Sequence, residues 1–382
     1  MGAKLRAIFL PILITLLLIE IVCHFVLAKN LLLQDMPTYS LKNARSNFWV
    51  ETNPDFGIWH APNADYLHRR ACFEVENHSN SFGMRDKERA LVSDKSRVVV
   101  LGDSFVEGYG ISEGKRITDL LEKGRGIEHL NFGTAGSFGP AQYYLLYKTL
   151  AKKFSHDEVI IALYPKNDFS DDDYEIWKDT GRYRPFFVGE YPNYRLIYSA
   201  KQPQGDAPSL GRSVRGLLRE FTNTYNVYTY LKSLILYGSK EVQSRRNGSA
   251  YSGFYDFTDE GWNRMRYALE EIFEEAAGKK ITVVLIPGPQ DIERYGKESG
   301  PTPLAKNIAA LGQAHGVNVV DLLPAFGQSG TDWKKYYNYP CDRHLSEFGS
   351  ALAAQVLLSH FSRAESQPAE KPSGAEGSGS LR

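Results

Sequence analysis

Cysteine is scarce in this chain, with three in 382 residues, at positions 23, 72 and 341. Cys23 falls inside an apolar N-terminal run, so only Cys72 and Cys341 remain as a possible bridge, and either they pair or both stay free thiols. An excess of one charge is missing as well, because Lys plus Arg and Asp plus Glu stand at 45 each. That balance removes the overall attraction expected of a nucleic-acid binder or of a chain clinging to an anionic surface. The glycines between 102 and 110 lack the Lys-Ser/Thr ending of a phosphate-binding loop. Asp171, Asp172 and Asp173 have no second ligand cluster at matching spacing, so a solvated acidic loop is expected there and no metal or cofactor anywhere. Internal repeats are absent.

Long apolar runs are rare too, and the single one is at the N-terminus. Residues 7–28 are almost wholly apolar, enough at 1.5 Å per residue to cross a hydrocarbon layer of roughly 30 Å. Lys4 and Arg6 precede the run and Lys29 alone follows closely. This bias predicts a single-pass protein of the inner (cytoplasmic) membrane, with a cytoplasmic N-terminus and everything after residue 29 extracytoplasmic. A cleaved signal peptide competes, with Val26 and Ala28 as the small-residue cleavage site, but the run exceeds the usual length and favours a retained anchor. Glu20 inside the run calls for a partner helix or a protonated carboxyl.

A hydrophobic fraction of 42% is ample for a packed core. Strands are expected at 98–101, 128–131, 158–163, 281–286 and 318–322. They alternate with helices at 112–123, 140–153, 260–277, 302–315 and 347–362. Such βαβ spacing predicts an α/β domain over 91–364, with a parallel five-stranded sheet and helices on both faces. Residues 29–90 read as an aperiodic extension that wraps this domain. Residues 169–255 read as an insertion with one helix near 217–236, covering the active edge of the sheet. From residue 365 the Ser, Gly, Glu and Pro content predicts a disordered tail. Aromatics are dense between 164 and 262; surfaces of this kind can hold sugars, though core packing is the commoner use.

Chemistry-bearing islands fall at predicted strand ends: Gly102-Asp103-Ser104, residues 131–136, Asn167-Asp168 and Asp342-Arg343-His344. In a parallel sheet those ends share one edge. A serine hydroxyl needs a base to take its proton and a carboxylate to hold that base. Ser104 is the candidate nucleophile, His344 the base and Asp342 its partner, since residues two apart in an extended loop point to one side. Backbone N–H groups of Ser104 and Gly136, with the Asn167 amide, could hold an oxyanion; Gly136 has no Cβ to block a carbonyl oxygen. Taken singly, each residue reads more simply as a cap or a turn.

The ordered set Gly-Asp-Ser, Asn131-x4-Gly136, Asn167-Asp168 and Asp342-x-His344 resembles the SGNH (GDSL) hydrolase superfamily over about residues 95–362, its signature residues matching Ser104, Gly136, Asn167 and His344. The resemblance implies a three-layer α/β/α flavodoxin-like fold, a metal-independent Ser-His-Asp mechanism and esterase or acyl-transfer activity. Two departures stand out. The aspartate lies two positions before the histidine where three is commoner, as in membrane-anchored bacterial members, and Lys166 replaces the glycine usually found before the Asn. Residues 80–86 resemble a stretch upstream of the nucleophile in anchored members, where Arg85 suggests a loop ion pair. The expected partners are the membrane and an ester-bearing small molecule or acylated carbohydrate, and the expected function is a serine esterase acting on envelope or exported carbohydrate. An O-acyltransferase with the same triad and a silent glycan-binding scaffold are the alternatives.

Overall fold

The computed structural model describes residues 2–202, 210–237, 251–298, 300–328 and 332–366. It opens with a helix, Gly2–Ala28, whose stretch Ala7–Ala28 is long and apolar enough to cross a bilayer, with a mean hydropathy of 2.5. Just after it, Asn30 Nδ2 donates to the Pro340 carbonyl (2.9 Å), more than three hundred residues away in sequence.

Residues 29–90 carry two antiparallel hairpins, β1 (Trp49–Asn53) with β2 (Gly57–His60), and β3 (Asp65–Arg69) with β4 (Glu74–His78). The aperiodic reading missed them because the inward positions are partly polar. In the second hairpin Tyr66 and His68 are buried on one strand and Val75 and Asn77 on the other, so no apolar alternation marks the pleat.

The sheet consists of β5 (Arg97–Gly102), β6 (Glu128–Gly133) and β7 (Glu158–Leu163), followed, after a separate hairpin of β8 (Pro185–Glu190) and β9 (Asn193–Tyr198), by β10 (Lys280–Leu285) and β11 (Asn318–Asp321). All five are parallel in the order β11-β10-β7-β5-β6. In chain order of the sheet strands this is second, first, third, fourth, fifth, the flavodoxin-like arrangement. Val98, Val99 and Leu101 are wholly buried, as an uninterrupted β-branched run demands when a strand is covered on both faces. Right-handed crossovers place helix Ile117–Arg125 on one face and helices Pro140–Thr149, Asp259–Glu275 and Pro303–His315 on the other. The C-terminal helix Glu347–Ser366 packs on Ile117–Arg125, completing three layers.

Several expected elements differ. The helix expected from 112 starts at Ile117, because Asp119 Oδ2 accepts from the N–H groups of Gly114 (2.9 Å) and Arg116 (3.2 Å) and holds 112–116 as a loop. The single insertion helix is two, Leu210–Phe221 and Asn223–Tyr237. Glu20 of the N-terminal helix explains the break. Its carboxylate accepts from the N–H of Asn223 (2.5 Å) and of Thr224 (3.0 Å) and from both side chains, satisfying donors that a helix start leaves open. The acidic run is not a solvated loop, since Asp171 and Asp172 are buried and Asp172 accepts from the N–H of Ala141 at the start of helix Pro140–Thr149. The insertion reaches the sheet's C-terminal edge at Arg182, whose Nη2 donates to the Gly136 carbonyl (2.9 Å). Its hairpin instead packs on helix Pro140–Thr149, and helix Leu210–Phe221 packs on the short helix Leu41–Arg45. Phe186, Phe187 and Trp177 of the insertion are buried, so these aromatics are core. The tail expected to be disordered lies, from 367 on, outside the described residues.

Candidate active site

Ser104 stands where β5 ends. Asp103 caps the short helix Ser104–Glu107, its Oδ1 accepting from the Phe105 N–H (2.9 Å), so the capping role is present and it aims the serine at the crevice. Neighbouring residues fix this turn against the sheet. A Cβ on Gly133, at the end of β6, would lie 2.2 Å from the Glu107 nitrogen, so only glycine permits the approach. Asn131 Nδ2 donates to the Val106 carbonyl (2.8 Å). Arg85 does not form a loop ion pair: it is buried and donates to the carbonyls of Glu107 (2.9 Å), Gly108 and Ile111 (2.8 Å) in the turn after the serine.

The imidazole of His344 completes the next link. Its Nε2 lies 2.8 Å from Ser104 Oγ, and its Nδ1 meets Asp342 Oδ1 in a short contact. The same Oδ1 accepts the backbone N–H of His344 (2.7 Å), so the two-residue spacing closes into a turn that delivers the carboxylate to the ring. A proton held on Nδ1 by the carboxylate leaves the Nε2 lone pair facing the hydroxyl. Rings of Tyr109 (4.4 Å between centroids) and Phe105 (5.3 Å) pack against the imidazole.

The far side of Asp342 is held by the extension. Arg70, one residue past β3, donates through Nη1 to Asp342 Oδ2 and through Nε to Asp35 Oδ1 (2.8 Å). Burial alone would raise the Asp342 carboxyl, but His344 and Arg70 outweigh it and hold it well below the usual carboxylate range. Cys72 and Cys341 are joined by a disulfide, with Cα atoms 5.9 Å apart, beside both partners of this pair. Arg70, Asp35 and Tyr109 were not anticipated as site residues. A signal existed, since a bridge from Cys72 to Cys341 necessarily brings Arg70 near Asp342.

Arg70→Gln is expected to destabilise the fold by about 3 kcal/mol, as removing one partner of a largely buried pair does, and to lower kcat roughly tenfold. The depressed Asp342 carboxyl contributes stability that is complete above its unfolded value near 4 and is lost only as pH falls through its lower folded value. Without Arg70 that folded value rises, so stability should be lost at a higher pH on acidification; an acid dependence of melting identical to wild type argues against the pairing.

The rim opposite His344 carries the other predicted residues. Gly102 pairs in register with Gly133, and Leu101 with Ile161, so the loops after β5, β6 and β7 emerge side by side. β5 and β7 flank the point where strand order reverses, the usual place for a ligand in such a sheet. Asn167, in helix Pro165–Asp171, bridges that point by donating through Nδ2 to Asp103 Oδ2 (2.9 Å). Gly136 follows β6 with φ of +108°, and a Cβ there would strike Ile58 Cδ1 at 2.2 Å, so the position is closed to other residues. Lys166, in place of the expected glycine, is half-buried and turns its ammonium to Gln290 Oε1 (2.5 Å); burial, with Arg343 nearby, brings it down to about 8.

Behind the rim lies a column of buried carboxyls. Burial pushes Asp103 up to about 6 against the bonds from Phe105 and Asn167. Burial likewise raises Asp168, which accepts from the Tyr143 hydroxyl (2.8 Å), and lifts Asp172 to about 7. A raised acid favours folding fully below its unfolded value, near 4, and loses that contribution as pH rises through the folded value. Asp172→Asn, which keeps an acceptor for the Ala141 N–H, should therefore raise the melting temperature at pH 8, by up to about 4 kcal/mol of stability, and give nothing at pH 4. Equal shifts at both pH values would show that the carboxyl does not titrate with folding.

No protein-family model and no curated protein matches the chain. Among solved structures it is similar to a lipase/acylhydrolase from Enterococcus faecalis, at 13% identity over 71% of this chain and 97% of that one, with a TM-score of 0.38. It is similar also to a lipolytic protein of the G-D-S-L family from Veillonella parvula, at 14% over 70% and 100% with a TM-score of 0.35. A third is a carbohydrate esterase family 2 enzyme with a carbohydrate-binding domain from Corynascus thermopiles, at 14% over 73% and 69% with a TM-score of 0.38. At such identities the function of this chain has to be read from its own residues.

Proposed function

We propose that this chain is a membrane-anchored serine esterase of the SGNH type, with its catalytic domain outside the cytoplasm. The observation that carries the reading is the unbroken hydrogen-bonded series from Ser104 Oγ through His344 to Asp342. In the reaction, Ser104 Oγ bonds to the ester carbonyl carbon as His344 Nε2 takes its proton, and Asp342 stabilises the imidazolium. The carbonyl oxygen, now charged, is received by the N–H groups of Ser104 and Gly136 and by the Asn167 amide, whose second N–H is not used by Asp103. Collapse breaks the ester C–O bond, and the departing alcohol takes the proton from His344. Water then attacks the acyl-serine by the reverse proton route and releases the acid.

Support for the membrane part comes from two features. Glu20 and the buried Leu27 are built into the fold, and cleavage after Ala28 would strip helix Asn223–Tyr237 of its cap, which favours a retained anchor. The Cys72–Cys341 disulfide suits an oxidising compartment, in line with the basic residues before the anchor. The substrate class we assign, following the sequence resemblance, is an acyl ester on an envelope or exported carbohydrate. A fluorophosphonate probe should label wild-type protein, with the adduct mapping to Ser104, and p-nitrophenyl acetate should be hydrolysed. If intact protein neither labels nor hydrolyses, the esterase reading fails and a binding scaffold takes its place.

A further inference from the structure

Helix Leu210–Phe221 is amphipathic, yet its apolar side faces away from the protein. Leu210, Val214, Leu217, Leu218 and Phe221 follow the spacing that gathers side chains on one face of a helix. They are exposed by 83%, 45%, 42%, 39% and 38%, whereas Gly216 and Glu220 are the residues that are buried. Gly216 meets the backbone of Ala44 so closely that a Cβ would lie 2.0 Å from its carbonyl oxygen, which fixes the helix in this orientation. The exposed face continues onto Tyr39, itself 55% exposed, whose ring meets Phe221 edge-on at 6.3 Å. Arg212, Arg215 and Arg219 share the opposite, polar side, where Arg219 is bound to Glu220 and the Asn43 carbonyl and Arg215 is exposed.

We propose that this face lies in the surface of the lipid bilayer, on the side where the N-terminal helix emerges. The inference rests on the reading of that helix as a membrane span. Position argues for lipid as the occupant. Phe221 is followed directly by the segment that binds Glu20, so the end of helix Leu210–Phe221 is tied to the level of Glu20 in the anchor. For an upright helix the rise from Ala7 to Glu20 is about 20 Å, short of the roughly 30 Å of hydrocarbon. A helix end held at that level lies within about 10 Å of the boundary between acyl chains and headgroups, the depth to which the apolar face of an interfacial helix is buried. There, an apolar face with an exposed arginine, Arg215, beside it is the arrangement of an interfacial helix, and that guanidinium can reach anionic phosphates.

The full-length protein with Cys23→Ser, its disulfide intact, is reconstituted into vesicles of phosphatidylethanolamine and phosphatidylglycerol. Nitroxide labels are placed in turn at Val214→Cys, Leu217→Cys, Ile12→Cys and, on the far surface, Lys152→Cys. The labels at 214 and 217 should collide with oxygen several-fold more than with a water-soluble nickel complex, as the label at 12 does, while 152 shows the reverse. If 12 reads lipid and 214 and 217 read water, the docking is wrong and the anchor stands. Labels at 214 and 217 shielded from both reagents mean that protein, such as a second copy, covers the face, which also overturns the proposal. If 12 reads water as well, anchor and docking fall together. Hydrolysis of p-nitrophenyl acetate by the labelled proteins reports separately on the esterase reading.

Discussion

Ser104→Ala is expected to lower kcat roughly a million-fold while leaving the fold in place. The hydroxyl contributes a single hydrogen bond, to His344 Nε2, so its removal costs no buried partner and the melting temperature should stay within a few degrees. His344→Ala should fall almost as far, because the serine without its base is a weak nucleophile. The informative comparison is the double variant. If the two side chains act as one unit, losing both is hardly worse than losing one, and the residual rate reflects oxyanion stabilisation and binding. Asp342→Asn should be milder, at roughly ten-thousand-fold, since the imidazole remains but its proton is no longer held on Nδ1. Steady-state kinetics on p-nitrophenyl acetate test all four; multiplicative losses in the double variant would mean that serine and histidine do not share a transition state.

Replacing both cysteines of the 72–341 bridge should produce the largest loss of stability. The bridge closes a loop with a sequence separation of 269, and constraining so long a segment in the unfolded chain accounts for up to about 5 kcal/mol. For a chain of this length that is a fall in melting temperature of about 6 °C. Activity should decline too, by a route separate from unfolding. Cys72 lies two residues from Arg70, and Cys341 directly precedes Asp342, so the bridge keeps the guanidinium against the carboxylate. Cys72→Ser with Cys341→Ser, assayed well below its melting point, should therefore show a reduced kcat. Melting at the wild-type temperature would show that packing of the extension alone carries the constraint.

How much of this was readable before the structure depended on the range of the interaction. The sheet was legible because strands buried on both faces, such as 98–101, write themselves as short β-branched runs. Ser104 was legible because its motif sits at a strand end, and Asp342 with His344 because they form a local Asp-x-His pair in the loop before the C-terminal helix. Gly136 and Asn167 were placed on the same rim as the serine because they too follow strand ends. Arg70 was signalled only through the possible Cys72–Cys341 bridge, because the hairpin before it buries His68 and Asn77 and lacks apolar alternation, and Asp35 had no local signal. The start of helix Ile117–Arg125 was misplaced because one carboxylate, Asp119, captures the amides ahead of it. The divided insertion helix depends on Glu20, 203 residues away from Asn223 in sequence, a relation that no local pattern records.

The contact of Asn30 with the Pro340 carbonyl has a further bearing on what can be hydrolysed. On the proposed reading, this contact ties the first turn past the anchor to the loop that carries His344 and so holds the nucleophile close to the leaflet. Under that proposal a long glycan would have to present its ester close to the lipid headgroups.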